Sequence, residues 1–218
     1  MELYHCLNRG VDKRIIFTDN RDRARFVHDM YEFNDVRPAL NVGRSSMSDI
    51  VSQSLLERRR IVQIHGWCVM GNHYHLLLSE LQDGGISLFL RKLNVGYARY
   101  FNDRHRRVGT LFQGRTKKIL INSDAHFLHI LHYIHLNPLD FLKGYERWRD
   151  FRIKNSRTAL GYLEQYRWSS YLDYCRKKNF PSIITTELFG DVFKNYPKTI
   201  GSYLKDIELA PMRPYLLE

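Results

Sequence analysis

Two histidines one residue apart, His73 and His75, stand in the run Gly71-Asn72-His73-Tyr74-His75-Leu76. Apolar stretches flank it, Trp67-Cys68-Val69-Met70 before and Leu76-Leu77-Leu78 after. Side chains alternate faces along a strand, so the two imidazoles share one face and Tyr74 takes the other. Two imidazoles on a rigid strand make half of a metal site. They suit Zn, Mn and other transition ions, and Mg where oxygen ligands and phosphate complete the shell. The plain alternative is a pair of histidines that merely occupy a strand. A zinc site with Cys68 as third ligand is a further alternative, but the spacing matches no standard zinc arrangement.

A second set of reactive groups lies in the stretch Asp124 to Asn137, which ends Tyr133-Ile134-His135-Leu136-Asn137. At 3.6 residues per turn, Tyr133 and Asn137 stack one turn apart on one helix face. A phenol and an amide oxygen so placed can serve as nucleophile and metal ligand. A lone helical tyrosine is otherwise core, and the chain has 14 tyrosines. His129 lies one turn earlier on the same stripe, placed to act as proton acceptor for the Tyr133 hydroxyl. His126, His129, His132 and His135 also form an i, i+3 ladder, most of it readable as helix surface.

A third feature is charge. From Arg91 to Lys118 there are nine basic residues, Arg91, Lys92, Arg99, Arg104, Arg106, Arg107, Arg115, Lys117 and Lys118, against one acid, Asp103. Such density favours phosphate contact over a merely solvated face, and Arg9 and Arg14 add to it from the N-terminal segment. Interleaved Tyr97, Tyr100, Phe101 and Phe112 have the shape to stack bases, although helical spacing assigns the first three to a core. Gly109 to Thr116 spells a near match to a phosphate-binding loop. Arg115 replaces its lysine and no strand-then-helix context surrounds it, so nucleotide hydrolysis and a nucleotide cofactor are excluded.

The elements that must position these groups follow from periodicity. Leu3 to Leu7 reads as a strand, Arg14 to Phe17 as a short extended piece, and Arg21 to Asn34 as a helix capped from Thr18-Asp19-Asn20. Ile61 to Met70 and Tyr74 to Ser79 read as a hairpin across Gly71-Asn72. Ile86 to Asn102 is a helix with an apolar stripe, Leu111 to Ile121 a strand, and the helix capped by Ser123-Asp124 ends at Pro138. The order β-α-β-β-α-β-α is a split βαβ pattern. It predicts an α+β fold, an antiparallel sheet with helices packed on one or both faces. Residues 1–140 read as one domain, with an insertion at 36–60 and a short helix ending at Arg58-Arg59-Arg60. Residues 141–218 read as a mostly helical extension.

Composition bounds the partners. The 218 residues can bury a substantial core. A net charge of +11, from 34 basic and 23 acidic side chains, points to a polyanion. Cys6, Cys68 and Cys175 are widely spaced, which fits a reducing compartment. No signal peptide and no stretch of roughly 20 apolar residues is apparent. The expectation is a cytoplasmic, nucleoid-associated protein, monomer or homodimer, with no membrane partner.

With these pieces in order, the chain resembles the single-tyrosine HUH transposases, and most closely the REP-associated tyrosine transposases. The resemblance rests on Tyr4-His5-Cys6-Leu7-Asn8-Arg9-Gly10, Met70-Gly71-Asn72-His73-Tyr74-His75-Leu76-Leu77 and Tyr97-Ala98-Arg99-Tyr100-Phe101-Asn102. Gly109-Thr110-Leu111-Phe112-Gln113-Gly114-Arg115, Tyr133-Ile134-His135-Leu136-Asn137-Pro138 and Tyr166-Arg167-Trp168-Ser169-Ser170-Tyr171 continue it in family order. It covers most of residues 3–174. It departs at Gly71, where the family usually has proline, at the long segment Pro38 to Arg60, and in the tail beyond Cys175. The resemblance implies a ferredoxin-like or RRM-like fold, with residues 1–140 as the catalytic domain, and cleavage of single-stranded DNA near a hairpin. It makes His73 and His75 ligands of a divalent ion, Mg2+ or Mn2+, Asn137 a third ligand, and Tyr133 a nucleophile that forms a 5′-phosphotyrosine. A protein that binds structured DNA or RNA without cutting it is the competing reading.

Overall fold

The computed structural model describes residues 1–38, 57–146, 148–150, 153 and 155–205. It is an α+β fold built on one four-stranded sheet. The strands are β1 (Leu3–Arg9), β2 (Val62–Val69), β3 (His73–Glu80) and β4 (Lys117–Leu120). Their order across the sheet is β2-β3-β1-β4, with every neighbouring pair antiparallel. This is the split βαβ arrangement expected from the element order.

Each face of the sheet carries its own core. On one face Cys6, Trp67, Tyr74, Leu76 and Leu78 pack against Phe26 and Met30 of helix α1 (Asn20–Glu32) and Phe89, Leu93 and Tyr97 of helix α2 (Gly85–Arg104). Asp19 caps α1, its carboxylate accepting from the amides of Arg21 and Asp22 at 2.9 and 3.0 Å. Gly96 lets the two helices meet, since a Cβ there would lie 2.2 Å from the Phe33 ring.

The other face carries Leu3, Cys68, Met70 and Leu77 and is covered by helix α3 (Asp124–Leu136). The helices α4 (Ser156–Gln165), α5 (Tyr171–Tyr174), α6 (Glu187–Val192) and α7 (Tyr196–Tyr203) pack around α3. Gly66 sets the depth of α3: a Cβ there would come 2.9 Å from Leu131 Cδ1. The C-terminal segment also covers the outer edge of β2. Val69 donates to the Trp168 carbonyl at 2.9 Å, Ser170 to Trp67 at 3.0 Å, and Thr185 to Ile64 at 2.8 Å. A free strand edge is thereby capped by irregular chain.

Two local expectations are corrected and one is refined. The strand expected over Leu111 to Ile121 survives only as β4. Gly114, at φ 72°, turns the chain after Phe112, which makes one isolated bridge to Gly10. The extended piece at Arg14 to Phe17 is irregular chain after a 3-10 turn at Val11–Lys13, and the amides of Ile16 and Phe17 both donate to the Gly71 carbonyl at 3.0 Å. The helix α3 ends ahead of Pro138 as expected, although the chain stays in the helical region. Asn137 keeps φ −51°, ψ −39° and opens a 3-10 turn, Asn137–Phe141, with proline in its first turn. The middle of the 36–60 segment lies outside the described residues. Its stems meet, Val36 donating to the Arg59 carbonyl at 3.0 Å. Residues 57–60 carry no helix.

The buried histidines set the response to acid. Burial lowers His65 and His126 to about 4 and His132 to about 3, and holds His135 well below its ordinary 6.5. These groups stay neutral in the fold and take protons near 6.5 when unfolded. Their contribution is complete above that pH and is lost as the pH falls from 6.5 towards 4. Asp29, raised by burial to about 6, acts with the opposite sign but is one group against four. We expect urea-unfolding free energy to fall between pH 6.5 and 5 by at least about 1.4 kcal/mol per pH unit. A flat or rising profile would show that these side chains are solvated.

Candidate active site

The register of the sheet assembles the site. His73 lies opposite Arg9, and His75 opposite Leu7 on one side and Cys68 on the other. His5 is two residues before Leu7 and so shares the face. The three imidazoles are buried, at 0% exposure for His5 and His75 and 6% for His73. His5 stacks on His75 with ring centroids 5.2 Å apart, and His73 meets His75 edge-on at 4.9 Å.

Tyr133 enters this cluster from α3. Its ring stands nearly perpendicular to His75, centroids 5.6 Å apart at 89°, and edge-on to His5 at 5.9 Å. It is fully buried. Its helix can reach the histidines because Leu131, half a turn earlier, seats over Gly66.

Hydrogen bonds orient the imidazoles. The Asn72 Nδ2 amide donates to the Lys13 carbonyl at 3.0 Å, which turns Oδ1 towards His73 Nδ1 at 2.6 Å. Nδ1 therefore carries the proton and Nε2 the lone pair. His75 Nδ1 faces His5 Nε2 at 2.9 Å. With His5 as acceptor, His75 Nε2 is likewise the basic nitrogen. This is how metal-binding imidazoles are held, one nitrogen anchored and the other aimed. The donor set thus fits a divalent ion at the two imidazoles. Among the described residues no group of three His, Cys, Asp or Glu side chains is placed to hold one.

Asn137 is engaged elsewhere. Its Nδ2 donates to the Tyr133 carbonyl at 2.8 Å and its Oδ1 accepts from Arg149 Nη2 at 2.6 Å. Arg149 also donates to Asp140 Oδ1 at 2.5 Å, and its guanidinium lies over the Tyr133 ring at 5.8 Å and the Trp148 ring at 4.4 Å. The His129 ring packs at 5.4 Å on Tyr203, whereas the rings found around Tyr133 are those of His5, His75 and Trp148.

The basic residues divide into two groups. Arg104 is an ion-pair partner: it bonds Asp19 at 2.6 Å and also bonds the buried Asp22. Burial pushes the Asp22 carboxyl up, but hydrogen bonds from Thr18 and Arg104 outweigh it and hold the group low. Lys92 donates to the carbonyls of Asp35 and Arg37, closing the exit of α1. Arg107 bonds Asn102 at 2.9 Å, Lys118 bonds Ser87 at 2.9 Å, and Arg14 reaches Asp12 at 3.5 Å. Arg91, Arg99, Arg106, Arg115 and Lys117 are exposed. Lys117 pairs across from Leu7, one strand away from His75, and half-buried Arg9 stands beside His73.

Sequence reasoning missed His5 and Arg149. A signal for His5 existed, since the split βαβ order places the first strand beside the third. Arg149 has none, because its partners are set by how the chain returns after Pro138.

No protein-family model matches this chain, and no curated protein matches it. Seven chains of solved structures do. One is a REP-associated tyrosine transposase bound to a REP hairpin, with 15% sequence identity over 86% of each chain and a TM-score of 0.48. At that distance nothing about substrate or chemistry is carried over from it.

The division of the basic residues is testable. Asp22→Ala breaks a buried ion pair and should cost roughly 3 kcal/mol of unfolding free energy. Arg115→Ala, at an exposed position, should stay within about 0.5 kcal/mol. Equal effects in denaturant titrations would contradict this sorting.

Proposed function

We propose that the protein is a metal-dependent single-strand DNA transesterase that acts at or near DNA hairpins. The observation that carries this reading is the edge-on contact of Tyr133 with His75 at 5.6 Å. It joins a phenol from α3 to an imidazole pair on β3, and no core packing requirement calls for three histidines there.

The chain's own groups divide the work. Arg9, Lys117 and the exposed arginines hold the sugar-phosphate backbone. His73 and His75 would hold the ion through their Nε2 atoms, with Asn137 as third ligand. When bound, a divalent ion, Mg2+ or Mn2+, supplies polarisation of the scissile phosphate. The Tyr133 oxygen attacks phosphorus, the Tyr–O–P bond forms and the P–O3′ bond breaks. The phenol proton is lost and the departing 3′ oxygen gains one. The product is a 5′-phosphotyrosine and a free 3′-OH. The phosphodiester bond energy stays in the link, so rejoining by the reverse step needs no nucleotide.

A free tyrosine has a pKa near ~10 and is a poor nucleophile at neutral pH. Holding it against the phosphate is therefore worth more than its basicity. A second reading is favoured by the full burial of Tyr133 and the commitment of Asn137 to Arg149. In it the same fold binds structured DNA or RNA without cutting.

Two experiments separate these readings. Tyr133→Phe removes one oxygen and keeps the ring, so it should fold, bind a labelled hairpin and yield no covalent adduct on a denaturing gel with Mn2+. An adduct of wild-type intensity in the variant would move the nucleophile to another residue. His73→Ala or His75→Ala should lower adduct formation by at least about 100-fold with hairpin affinity changed less than about threefold. Chelator should reproduce that loss, with Asn137→Ala milder than either. Full activity of the double histidine variant in excess chelator would remove the metal from the scheme.

A further inference from the structure

The guanidinium of Arg149 occupies a position that the scheme above leaves unused. It lies on the Tyr133 ring and bonds Asn137 Oδ1 at 2.6 Å and Asp140 Oδ1 at 2.5 Å. Asp140 accepts as well from the Trp148 indole at 2.8 Å. The Arg149 side chain is 18% exposed and that of Asp140 28%. The Arg149 side chain thus keeps a little solvent exposure, while Tyr133 and Asn137 are fully buried.

We propose that Arg149 is the residue that binds the scissile phosphodiester, and that it holds the Asn137 oxygen until it does so. This rests on the transesterase reading. A guanidinium presents five donors in a planar fork that matches two phosphate oxygens. Of Arg149, Asn137 and Tyr133, only the Arg149 side chain has solvent exposure with which to meet a phosphodiester. The phosphodiester offers a charged bidentate partner in place of a neutral amide oxygen. When Arg149 turns to the phosphate, Asn137 Oδ1 loses its donor in a buried setting, where an unsatisfied acceptor is costly. That oxygen then favours a cation, which in the transesterase reading is the one His73 and His75 would hold. Arg149 so makes the third ligand available only when a phosphate is present.

Among the described residues, the other cations named above do not fit the role. Arg104 and Lys92 are held by Asp19, Asp22 and the carbonyls of Asp35 and Arg37. Arg9 lies opposite His73 in the sheet, whereas Arg149 is the cation over the nucleophile's ring.

The test uses the full chain with two readouts. First, Mn2+ affinity is measured by calorimetry without DNA. Asn137→Ala alone should change it less than about twofold, because the oxygen is already engaged. Arg149→Met should tighten it by about threefold or more, and the double variant Arg149→Met/Asn137→Ala should lose most of that gain. A gain that survives in the double variant is a bare charge effect and overturns the link to Asn137, as does no gain. Second, single-turnover adduct formation on a labelled hairpin is measured over a range of protein concentrations. Arg149→Met should lower the maximal rate by about 30-fold or more with hairpin Kd raised less than about threefold, and Arg149→Lys should regain part of the rate. An unchanged maximal rate overturns the phosphate role. Should Arg149→Met not fold by thermal melting, Arg149→Lys carries both tests, since it keeps the charge and loses the fork. A wild-type chain that forms no adduct on Tyr133 refutes the transesterase reading instead, and the Mn2+ cycle then still decides whether Arg149 withholds Asn137.

Discussion

The approach of α3 to the sheet at Gly66 is the contact on which the site depends. Glycine leaves room for Leu131, and a Cβ there would stand 2.9 Å from its methyl carbon. A helix held further out would carry Tyr133 away from His5 and His75, whose rings it now meets at 5.9 and 5.6 Å. The apolar contacts of Ile130, Leu131 and Ile134 with Leu3, Cys68 and Leu77 thus fix the position of a polar group. Packing of this kind is rigid because interiors are close-packed. The precision that the proposed chemistry needs therefore comes from the core rather than from the loops.

Burying so many polar groups is tolerable only where they satisfy one another. The Lys13 carbonyl orients Asn72, Asn72 orients His73, and His5 orients His75. Asn137 ties its amide to the Tyr133 carbonyl and its oxygen to Arg149. A separate network, His135 with Ser170 and Tyr196 at 2.7 Å each, joins α3 to the C-terminal helices and the β2 edge. That network is buried within the fold, and it makes residues 155–205 part of the support for α3. Imidazoles serve in both places, one set clustered with Tyr133 and the other tying the fold together.

Much of the architecture was legible in the sequence because it is periodic. The alternation around His73 and His75 and the 3.6-residue stripe through Leu93 and Tyr97 gave the element order, and the sheet followed from it. The hairpin at Gly71-Asn72 was legible from its turn chemistry. What escaped is non-local. Gly114 shortened β4 through one backbone angle that composition does not reveal. Charge density marked Arg91 to Lys118 as a phosphate surface, yet Arg104 and Lys92 are internal ties, and only the positions of Asp19, Asp22 and Asp35 distinguish them. The roles of His5 and Arg149 appear once the third dimension is known. The likeness of the Tyr133–Asn137 stripe to a catalytic helix was visible, but not that Arg149 already held Asn137.

The central claim is that the imidazole pair on β3 and Tyr133 on α3 form one DNA-cleaving site. Its most direct measurement is peptide mapping of the wild-type protein after reaction with a labelled single-stranded hairpin and Mn2+. The result expected is a single peptide, containing Tyr133, that carries the nucleotide through a phosphotyrosine bond. A covalent nucleotide on Tyr97, Tyr100 or any other side chain, or a hairpin that is bound tightly and never joined to protein, would contradict it.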